Sequence, residues 1–205
     1  AENVHGAELV VYSAAIHPDN PELQEAERLG IPTAERSILL GYVTNTYPHP
    51  LCIAGTHGKT TTTAMTVQIL YDAGKDPAAV IGGKLPAIDG YGRYGTGHEI
   101  VVEACEYHDT FLHLVPHVGV ILNIDADHME YFKTMKNLKM SFRKFALLTQ
   151  HTVLINVDDD NTIAALSGVD RYVRTFGIER SADYQAVNVR EYRPSFYAFD
   201  LNVHG

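Results

Sequence analysis

The sequence predicts an α/β protein with a largely parallel sheet, in which a P-loop-like central domain follows a partial Rossmann-like domain. Two observations support this fold class. Short apolar runs alternate with helical segments along most of the 205 residues, which is typical of parallel strands joined by right-handed crossovers. One apolar run, residues 51–54, leads directly into a glycine-flanked turn that ends in Lys59 and Thr60.

The first part of the chain, residues 1–46, is predicted to be the end of an α/β unit. Asn20 is a good helix N-cap, Pro21 suits the first helical position, and Gly30 suits the C-terminal turn of the same helix. The expected elements are a strand at 8–12, a helix at 20–30, an extended piece at 31–33 and a helix at 34–43. The glycine-rich turn that would normally open such a unit is absent from the sequence.

Residues 47–205 are predicted to form the central domain. The segment 44–50 contains Asn45 and two prolines and marks the linker between the two parts. Within the central domain, the glycine-rich segment 90–97 is expected to be a surface connection, with a mobile substrate-facing loop as the alternative. The chain after Gly177 is expected to pair as antiparallel strands. Strands are expected at 51–54, 78–81, 100–103, 118–124, 153–157, 172–176, 184–189 and 195–203.

The turn after the first of these strands has the composition of a phosphate-binding loop. Gly55 and Gly58 permit tight turns whose backbone N–H groups point inward, and the positive end of the following helix faces the same cavity. Lys59 would reach the β- and γ-phosphates of a nucleotide, and the Thr60 hydroxyl would hold Mg²⁺. Because Ile53 stands where the usual spacing has its first glycine, a plain glycine turn beside a lysine remains the alternative.

Acidic and imidazole side chains follow two further strands. Glu103 ends the strand 100–103, and the run 118–124 leads through two aspartates to His128. Because ligands of open parallel sheets gather outside the carboxyl ends of the strands, we expect Lys59, Glu103 and His128 to face one crevice. Mg²⁺ favours hydroxyl and carboxylate oxygens together with phosphates and water, which suits Thr60 and Glu103 better than an imidazole.

Four motifs in this order resemble the Mur ligases of bacterial cell-wall synthesis. They are G-T-H-G-K-T-T-T-T-A-M from Gly55, I-G-G from Ile81, V-V-E-A-C-E-Y-H-D-T-F-L from Val101 and N-I-D-A-D-H-M-E-Y-F from Asn123. The segment V-V-Y-S-A-A-I-H-P-D-N-P-E from Val10 is similar to the end of the family's uridine-nucleotide domain. The resemblance therefore covers nearly the whole chain, and four spaced motifs are more specific than any one of them.

The resemblance implies an ATP-dependent amide ligation in peptidoglycan synthesis, with Mg²⁺ as the metal. It is strongest to the members that join UDP-N-acetylmuramate to L-alanine, in which the substrate carboxylate becomes an acyl phosphate and the amine then displaces phosphate. Two alternatives stay open, namely a recycling ligase that adds a whole tripeptide and a non-catalytic nucleotide-binding module. The family binds the amine largely through a third domain, which is expected after Gly205, so the chain alone is expected to be inactive.

The resemblance also implies roles for individual residues. Lys59 would stabilise the transferring phosphoryl group, Thr60 and Glu103 would hold the first Mg²⁺, and His128 would help to hold a second one near the substrate carboxylate. Related ligases use a carbamylated lysine, and neither Lys139 nor Lys144 can be matched securely to it. The expected nucleotide-binding residues are Gly55, Thr56, His57, Gly58, Lys59, Thr60, Thr61 and, at the end of a later strand, Asn156.

Composition sets outer bounds on function. A net charge of −9 argues against a broad nucleic-acid or anionic-membrane surface. The sequence holds no apolar stretch long enough for a membrane span, and its start lacks the regions of a signal peptide, so cytoplasmic residence is the expectation. Cys52 and Cys105 have no metal-ligand or disulfide spacing, and both are expected to be buried thiols.

The roles of several other polar residues can be interpreted in two ways. Glu106 and Asp109 are candidates either to orient metal-bound water or substrate or to cap a helix start. The run 158–160 of three aspartates is expected to be a solvated turn rather than a metal cluster. A Lys59→Ala variant is expected to lose nucleotide affinity without losing thermal stability, because alanine is a good helix former.

Overall fold

The computed structural model describes residues 1–204 and confirms the α/β class. The helices are α1 (Pro21–Arg28), α2 (Arg36–Thr44), α3 (Lys59–Asp72), α4 (Met129–Phe132), α5 (Met135–Leu148) and α6 (Asp160–Leu166). The strands are β1 (Val10–Tyr12), β2 (Thr33–Glu35), β3 (His49–Ala54), β4 (Ala78–Leu85), β5 (Gly90–Arg93), β6 (Glu99–Glu103), β7 (Val118–Ile121), β8 (Thr152–Asn156), β9 (Tyr172–Gly177), β10 (Tyr184–Arg193) and β11 (Phe196–Val203). Most elements lie within a few residues of the expected positions.

The strands form two separate sheets. In the first, β1 and β2 pair in parallel. In the second, nine strands follow the order β11-β10-β9-β8-β7-β3-β6-β4-β5. The seven strands from β10 to β4 in this order run parallel to their neighbours, whereas β5 and β11 are antiparallel at the two edges. The expected antiparallel pairing at the end of the chain is confirmed.

The centre of the large sheet is buried on both faces. Cys52, Val102, Ile121 and Val153 lie on one face and are each fully enclosed. α5 covers this face, because Phe142 and its apolar neighbours on that helix follow the i, i+3, i+4 spacing that gives a helix one apolar side. α3 covers the opposite face with Val67 and its neighbours. Both faces are apolar, as parallel strands covered by helices require.

The helix α1 forms as the sequence predicts. The Asn20 side chain accepts hydrogen bonds from the backbone N–H groups of Glu22 and Leu23, and Pro21 occupies the first helical position. These contacts satisfy donors at the helix start that have no partner within the helix.

Three expectations about the elements are wrong. The segment 90–97 is not only a surface connection, because its first half forms the edge strand β5, with Ala79 opposite Arg93. The strand expected at 118–124 ends at Ile121, so the following residues form a loop beside residues 54–56. Cys105 is exposed in a loop after β6, whereas Cys52 is buried as expected and its burial raises the pKa of its thiol.

Among residues 1–204 no helix is long and apolar enough to span a bilayer.

Candidate functional site

The loop between β3 and α3 has the backbone geometry of an anion cradle. Gly55 and Gly58 adopt φ of 144° and 83°, which side chains other than hydrogen disfavour. A Cβ on Gly55 would also lie 3.0 Å from the Leu122 Cβ, so the loop packs closely against the segment after β7. Gly58 is the N-cap of α3 and has no side chain to cap it. The first N–H groups of this helix are therefore available to an anion.

The segment after β7 holds the loop in this shape. The Asn123 carbonyl accepts from the Thr56 N–H at 3.0 Å. The Asn123 side chain accepts from the His57 N–H at 2.8 Å and donates to the His57 carbonyl at 3.1 Å. The Thr56 hydroxyl accepts from the Asp125 N–H at 2.9 Å. Sequence reasoning missed Asn123 as a functional residue, although its position directly after an apolar run and among the shared motifs was a signal.

Lys59 lies at the first position of α3 and folds back over the loop. Its Nζ donates to the Gly55 carbonyl at 2.6 Å and to the Thr56 carbonyl at 3.1 Å. It also lies 3.2 Å from Oε1 and 2.9 Å from Oε2 of Glu106. Glu106 makes no capping hydrogen bond within residues 1–204, so the capping interpretation of this residue is wrong. The Lys59 side chain thus lies over the loop, and Glu106 is its buried counter-ion.

Thr60 and Glu103 meet at the carboxyl end of β6. The Thr60 hydroxyl donates to Glu103 Oε1 at 2.9 Å, and the Gly82 N–H donates to Oε2 at 2.6 Å. A Cβ on Gly82 would lie 2.6 Å from Oε2, and one on Gly83 would lie 2.9 Å from the Thr60 Cγ2. The two glycines are therefore the residues that let β4 approach the Thr60–Glu103 pair. The structure brings this pair together as the strand order predicts.

His128 lies beside the loop that follows Glu103. It is the N-cap residue of α4, has a left-handed backbone with φ of 53°, and its ring stacks on Tyr107. Its ring nitrogens also lie 4.0 Å from the Asp127 carboxylate and 3.6 Å from the Glu130 carboxylate. In that part of the chain no three His, Cys, Asp or Glu side chains converge on one point. The structure thus pairs Thr60 with Glu103 and places His128 on the neighbouring Tyr107.

Asp109 connects this loop to the helices behind it. Its carboxylate accepts from the Tyr131 hydroxyl at 2.8 Å and from the Ser141 hydroxyl, and its backbone has a left-handed φ of 58°. Burial, together with the Asp109 hydrogen bond, raises the pKa of Tyr131. Asp109 therefore links α4 and α5 to the loop, and of its two interpretations the helix-capping one is wrong.

The remaining sequence candidates lie on α3, β8 and α5. Thr61 is exposed on the first turn of α3. Asn156 ends β8, accepts from the Asp158 N–H at 2.9 Å, and borders a mainly apolar cavity of about 280 Å³ with Phe176 and Phe199. Lys144 lines a cavity of about 340 Å³ with Asp109, while Lys139 lies in a separate groove formed with α6.

The aspartates of the run 158–160 stabilise the fold and form no cluster. Asp158 accepts from the backbone N–H groups of residues 178–180, and these hydrogen bonds lower the pKa of its carboxyl below the usual range despite partial burial. Asp159 caps α6 by accepting from the Thr162 N–H. Asp160 pairs with Arg180 at 2.7 Å. The three carboxylates therefore stabilise three different parts of the fold.

A parallel sheet, a glycine-flanked loop before a long helix, and an acid beside the first helical turn define an α/β protein of the phosphate-loop class. Residues 53–203 match the sequence profile of the Mur ligase middle domain, and residues 1–48 match that of the Mur ligase family catalytic domain. The chain belongs to the Mur ligase family.

Known proteins of this family resemble the chain in sequence and in fold. The UDP-N-acetylmuramate–L-alanine ligase of Caldanaerobacter subterraneus is 44% identical over 100% of the chain and 45% of that protein. The solved UDP-N-acetylmuramate–alanine ligase of Thermotoga maritima has a TM-score of 0.78 and 27% identity, and the match covers 90% of this chain and 42% of that one. A UDP-N-acetylmuramate:L-alanyl-γ-D-glutamyl-meso-diaminopimelate ligase from Neisseria meningitides has a TM-score of 0.82 and 23% identity. This match covers 96% of this chain and 65% of that one. The chain spans about half the length of the curated relatives that it matches.

Proposed function

We propose that this chain binds ATP and Mg²⁺ at the loop between β3 and α3. The proposal rests on one arrangement, the Thr60–Glu103 pair beside the uncapped start of α3. The donor set fits the two ligands, because backbone N–H groups and a lysine suit phosphates, and a hydroxyl with a carboxylate suits Mg²⁺. Gly82 adds to the fit, since its missing side chain leaves room for the Glu103 carboxylate.

The proposed reaction is an ATP-dependent ligation of L-alanine to the carboxylate of UDP-N-acetylmuramate through an acyl phosphate, in peptidoglycan synthesis. The support for these substrates is the 44% identity, along the whole chain, to a UDP-N-acetylmuramate–L-alanine ligase. ATP would supply the phosphoryl group that activates the carboxylate, and Mg²⁺ would neutralise charge on the phosphates.

The residues of the chain would act mainly by positioning and by charge. The loop from Gly55 to Thr61, including His57, would hold the phosphates, and Lys59 would place a positive charge beside them. Thr60 and Glu103 would orient Mg²⁺. His128, fixed by its stacking on Tyr107, would lie toward the substrate carboxylate and help to hold a second Mg²⁺.

Two further expectations belong to this proposal. Residues 1–46 would be part of a uridine-nucleotide-binding domain and residues 47–205 the central ATP-binding domain. Asn156 and the apolar cavity beside it would receive the nucleoside end of ATP, because they lie at the carboxyl edge of the same sheet. The use of ATP suits a cytoplasmic protein.

The test measures binding and chemistry separately. Calorimetric titration of the 205-residue chain with MgATP is expected to show one site, and Lys59→Ala is expected to weaken it. Ligation is then followed by mass spectrometry for the chain together with any sequence that flanks it in its gene, with UDP-N-acetylmuramate and L-alanine as substrates. An amide product that requires ATP supports the proposal, and its absence in a protein that binds MgATP refutes the ligation.

The same assay separates the alternatives. With L-alanine and the tripeptide L-alanyl-γ-D-glutamyl-meso-diaminopimelate present together, the proposal expects the alanine amide. Exclusive formation of the tripeptide amide would identify a recycling ligase. Binding of MgATP without any phosphate release would identify a non-catalytic nucleotide-binding module.

A further inference from the structure

Glu106 is a buried carboxylate that the proposed reaction does not use. It is 1% exposed and is the only charged residue among the buried ones of residues 1–204. It lies three positions after Glu103, the last residue of β6. A buried carboxylate is costly unless an opposite charge or hydrogen-bond donors compensate it.

Lys59 supplies that compensation. The ammonium lies within 3.2 Å of both Glu106 oxygens, and its side chain is only 14% exposed. Oε2 has no aligned hydrogen-bond donor within residues 1–204, so the contact at 2.9 Å is mainly ionic. The pair is therefore held by charge in a setting that water screens poorly.

The contacts of Lys59 leave no N–H donor unused. An ammonium has three donors, and the acceptors are the Gly55 carbonyl, the Thr56 carbonyl and Glu106. A phosphate that hydrogen bonds to Lys59 must displace one of these acceptors or share a donor with it. Glu106 is the acceptor with a full negative charge, so it both competes with an incoming phosphate and repels it.

We propose that Glu106 is a positioning residue, which holds Lys59 over the phosphate loop and limits nucleotide affinity by competing with phosphate for the ammonium. This inference rests on the proposed nucleotide site. It predicts that removing the negative charge of Glu106 tightens nucleotide binding, whereas loss of a purely structural residue would leave binding unchanged or weaken it.

The first arm of the experiment measures thermal unfolding without nucleotide. Lys59→Ala leaves Glu106 buried without its partner, so its melting temperature is expected to fall by on the order of 10 °C. The double variant Lys59→Ala/Glu106→Gln is expected to regain most of this loss. This result differs from the expectation that Lys59→Ala leaves stability unchanged. Equal melting temperatures for wild type and Lys59→Ala would show that the pair is not buried as described.

The second arm measures calorimetric binding of MgATP and MgADP. Glu106→Gln is expected to bind both about tenfold more tightly than wild type, because the amide holds the ammonium less strongly. Glu106→Met, which is uncharged and of similar length, repeats the measurement without a buried amide. In the Lys59→Ala background, Glu106→Gln is expected to change affinity by less than in wild type.

The matched control is the ion pair of Arg28, which is exposed, with the half-buried Glu25; the Arg28 Nε and Glu25 Oε2 atoms lie 2.7 Å apart. Arg28→Ala is expected to shift the melting temperature by less than about 2 °C and to leave MgATP affinity unchanged. If wild type fails to bind MgATP, the proposed function and this inference both fail. If wild type binds MgATP and neither Glu106 variant binds it more tightly, only the inference fails.

Discussion

The ring of His128 stacks on the ring of Tyr107, with centroids 4.3 Å apart and planes inclined by 30°. Tyr107 directly follows Glu106, the counter-ion of Lys59, so this stacking connects the loop after β7 to the loop after β6. The left-handed backbone of His128 fits this connection, because a residue held in a strained conformation needs surrounding contacts that fix it. The orientation of His128 thus depends on an aromatic neighbour.

The first prediction concerns this stacking. Tyr107→Ala removes the aromatic face under His128, whereas Tyr107→Phe keeps it. We expect Tyr107→Ala to lower the free energy of unfolding by at least about 1 kcal/mol more than Tyr107→Phe, because an aromatic pair contributes roughly that much beyond burial. Urea denaturation at 25 °C measures both variants. Equal losses would mean that the ring contact contributes nothing and that the tyrosine hydroxyl accounts for the effect.

The second prediction concerns Glu103. Glu103→Gln keeps the shape of the side chain but removes its charge, and its amide nitrogen cannot accept from Thr60 or Gly82. We expect the Mg²⁺ concentration that half-saturates ATP binding to rise about tenfold, since the proposed metal site would lose its charged ligand. Glu99→Gln, at the opposite end of the same strand, is the matched control and should leave the Mg²⁺ titration unchanged. Identical titrations for the two variants would remove Glu103 from the proposed metal site.

The sequence predicts the fold well because its strongest signals are local. The apolar run of β3, the two glycines of the loop and the Asn20 cap each determine their own backbone, and strand order then brings Thr60 and Glu103 together. The edge strand β5 was missed because it contains Gly90 and Gly92, which suggest a turn. Gly92 tolerates this position since it lies against the Ala79 backbone, where a Cβ would be 2.7 Å from the carbonyl oxygen.

The candidate site is less predictable, since its remaining contacts join distant segments. Glu106 and Lys59 are 47 positions apart, and Asn123 and His57 are 66 apart. No periodicity or spacing encodes which buried acid meets which lysine. Glu106 lies in a sequence context that is typical of a helix start. Only its burial beside Lys59 shows that it is the counter-ion of that lysine.

The third prediction concerns pH and a row of histidines at the amino-terminal edge of the sheet. The His117 ring packs between His49 and His151, with centroids 4.9 and 4.8 Å away. Burial, and then repulsion from His151 and His49, lowers the pKa of His117 below its ordinary value. The unfolded chain therefore binds a proton at a higher pH than the folded protein does. The contribution of His117 to the free energy of unfolding is therefore fully present above about pH 6.5. It is expected to fall as the pH drops from there toward the pKa of His117 in the folded protein.

Urea denaturation of wild type and His117→Gln between pH 7.5 and 5 tests this linkage. The variant is expected to lose less stability over this range, by about 1.4 kcal/mol for each pH unit between the folded and unfolded pKa of His117. His17→Gln, at an exposed position, is the control and should keep the wild-type slope. A His117→Gln slope equal to that of wild type would contradict the assignment of the pH dependence to His117.

The last prediction concerns Asn123, which lies in the loop after β7 and holds the loop between β3 and α3. Its side chain accepts from the His57 N–H and donates to the His57 carbonyl, so it fixes both sides of one residue of the loop. Asn123→Ala removes both hydrogen bonds and keeps the Asn123 carbonyl that binds Thr56. Asn123→Asp keeps the acceptor for the His57 N–H and loses the donor.

Because the His57 backbone remains accessible to water, the stability cost of Asn123→Ala is expected to be small, at about 1 kcal/mol or less. MgATP affinity is expected to fall more, by roughly three- to tenfold, since a loop that is not held in shape must be ordered when the phosphates bind. The stability of Asn123→Asp should lie between those of wild type and Asn123→Ala. Its MgATP affinity should be lower than that of Asn123→Ala, because the negative charge of the aspartate repels phosphate. Asn3→Ala is the control, because it removes an exposed hydrogen bond to Glu22 in the part of the chain that contains the β1–β2 sheet. Calorimetric titrations that rank alanine below aspartate in MgATP affinity would show that loop geometry matters more than charge at this position.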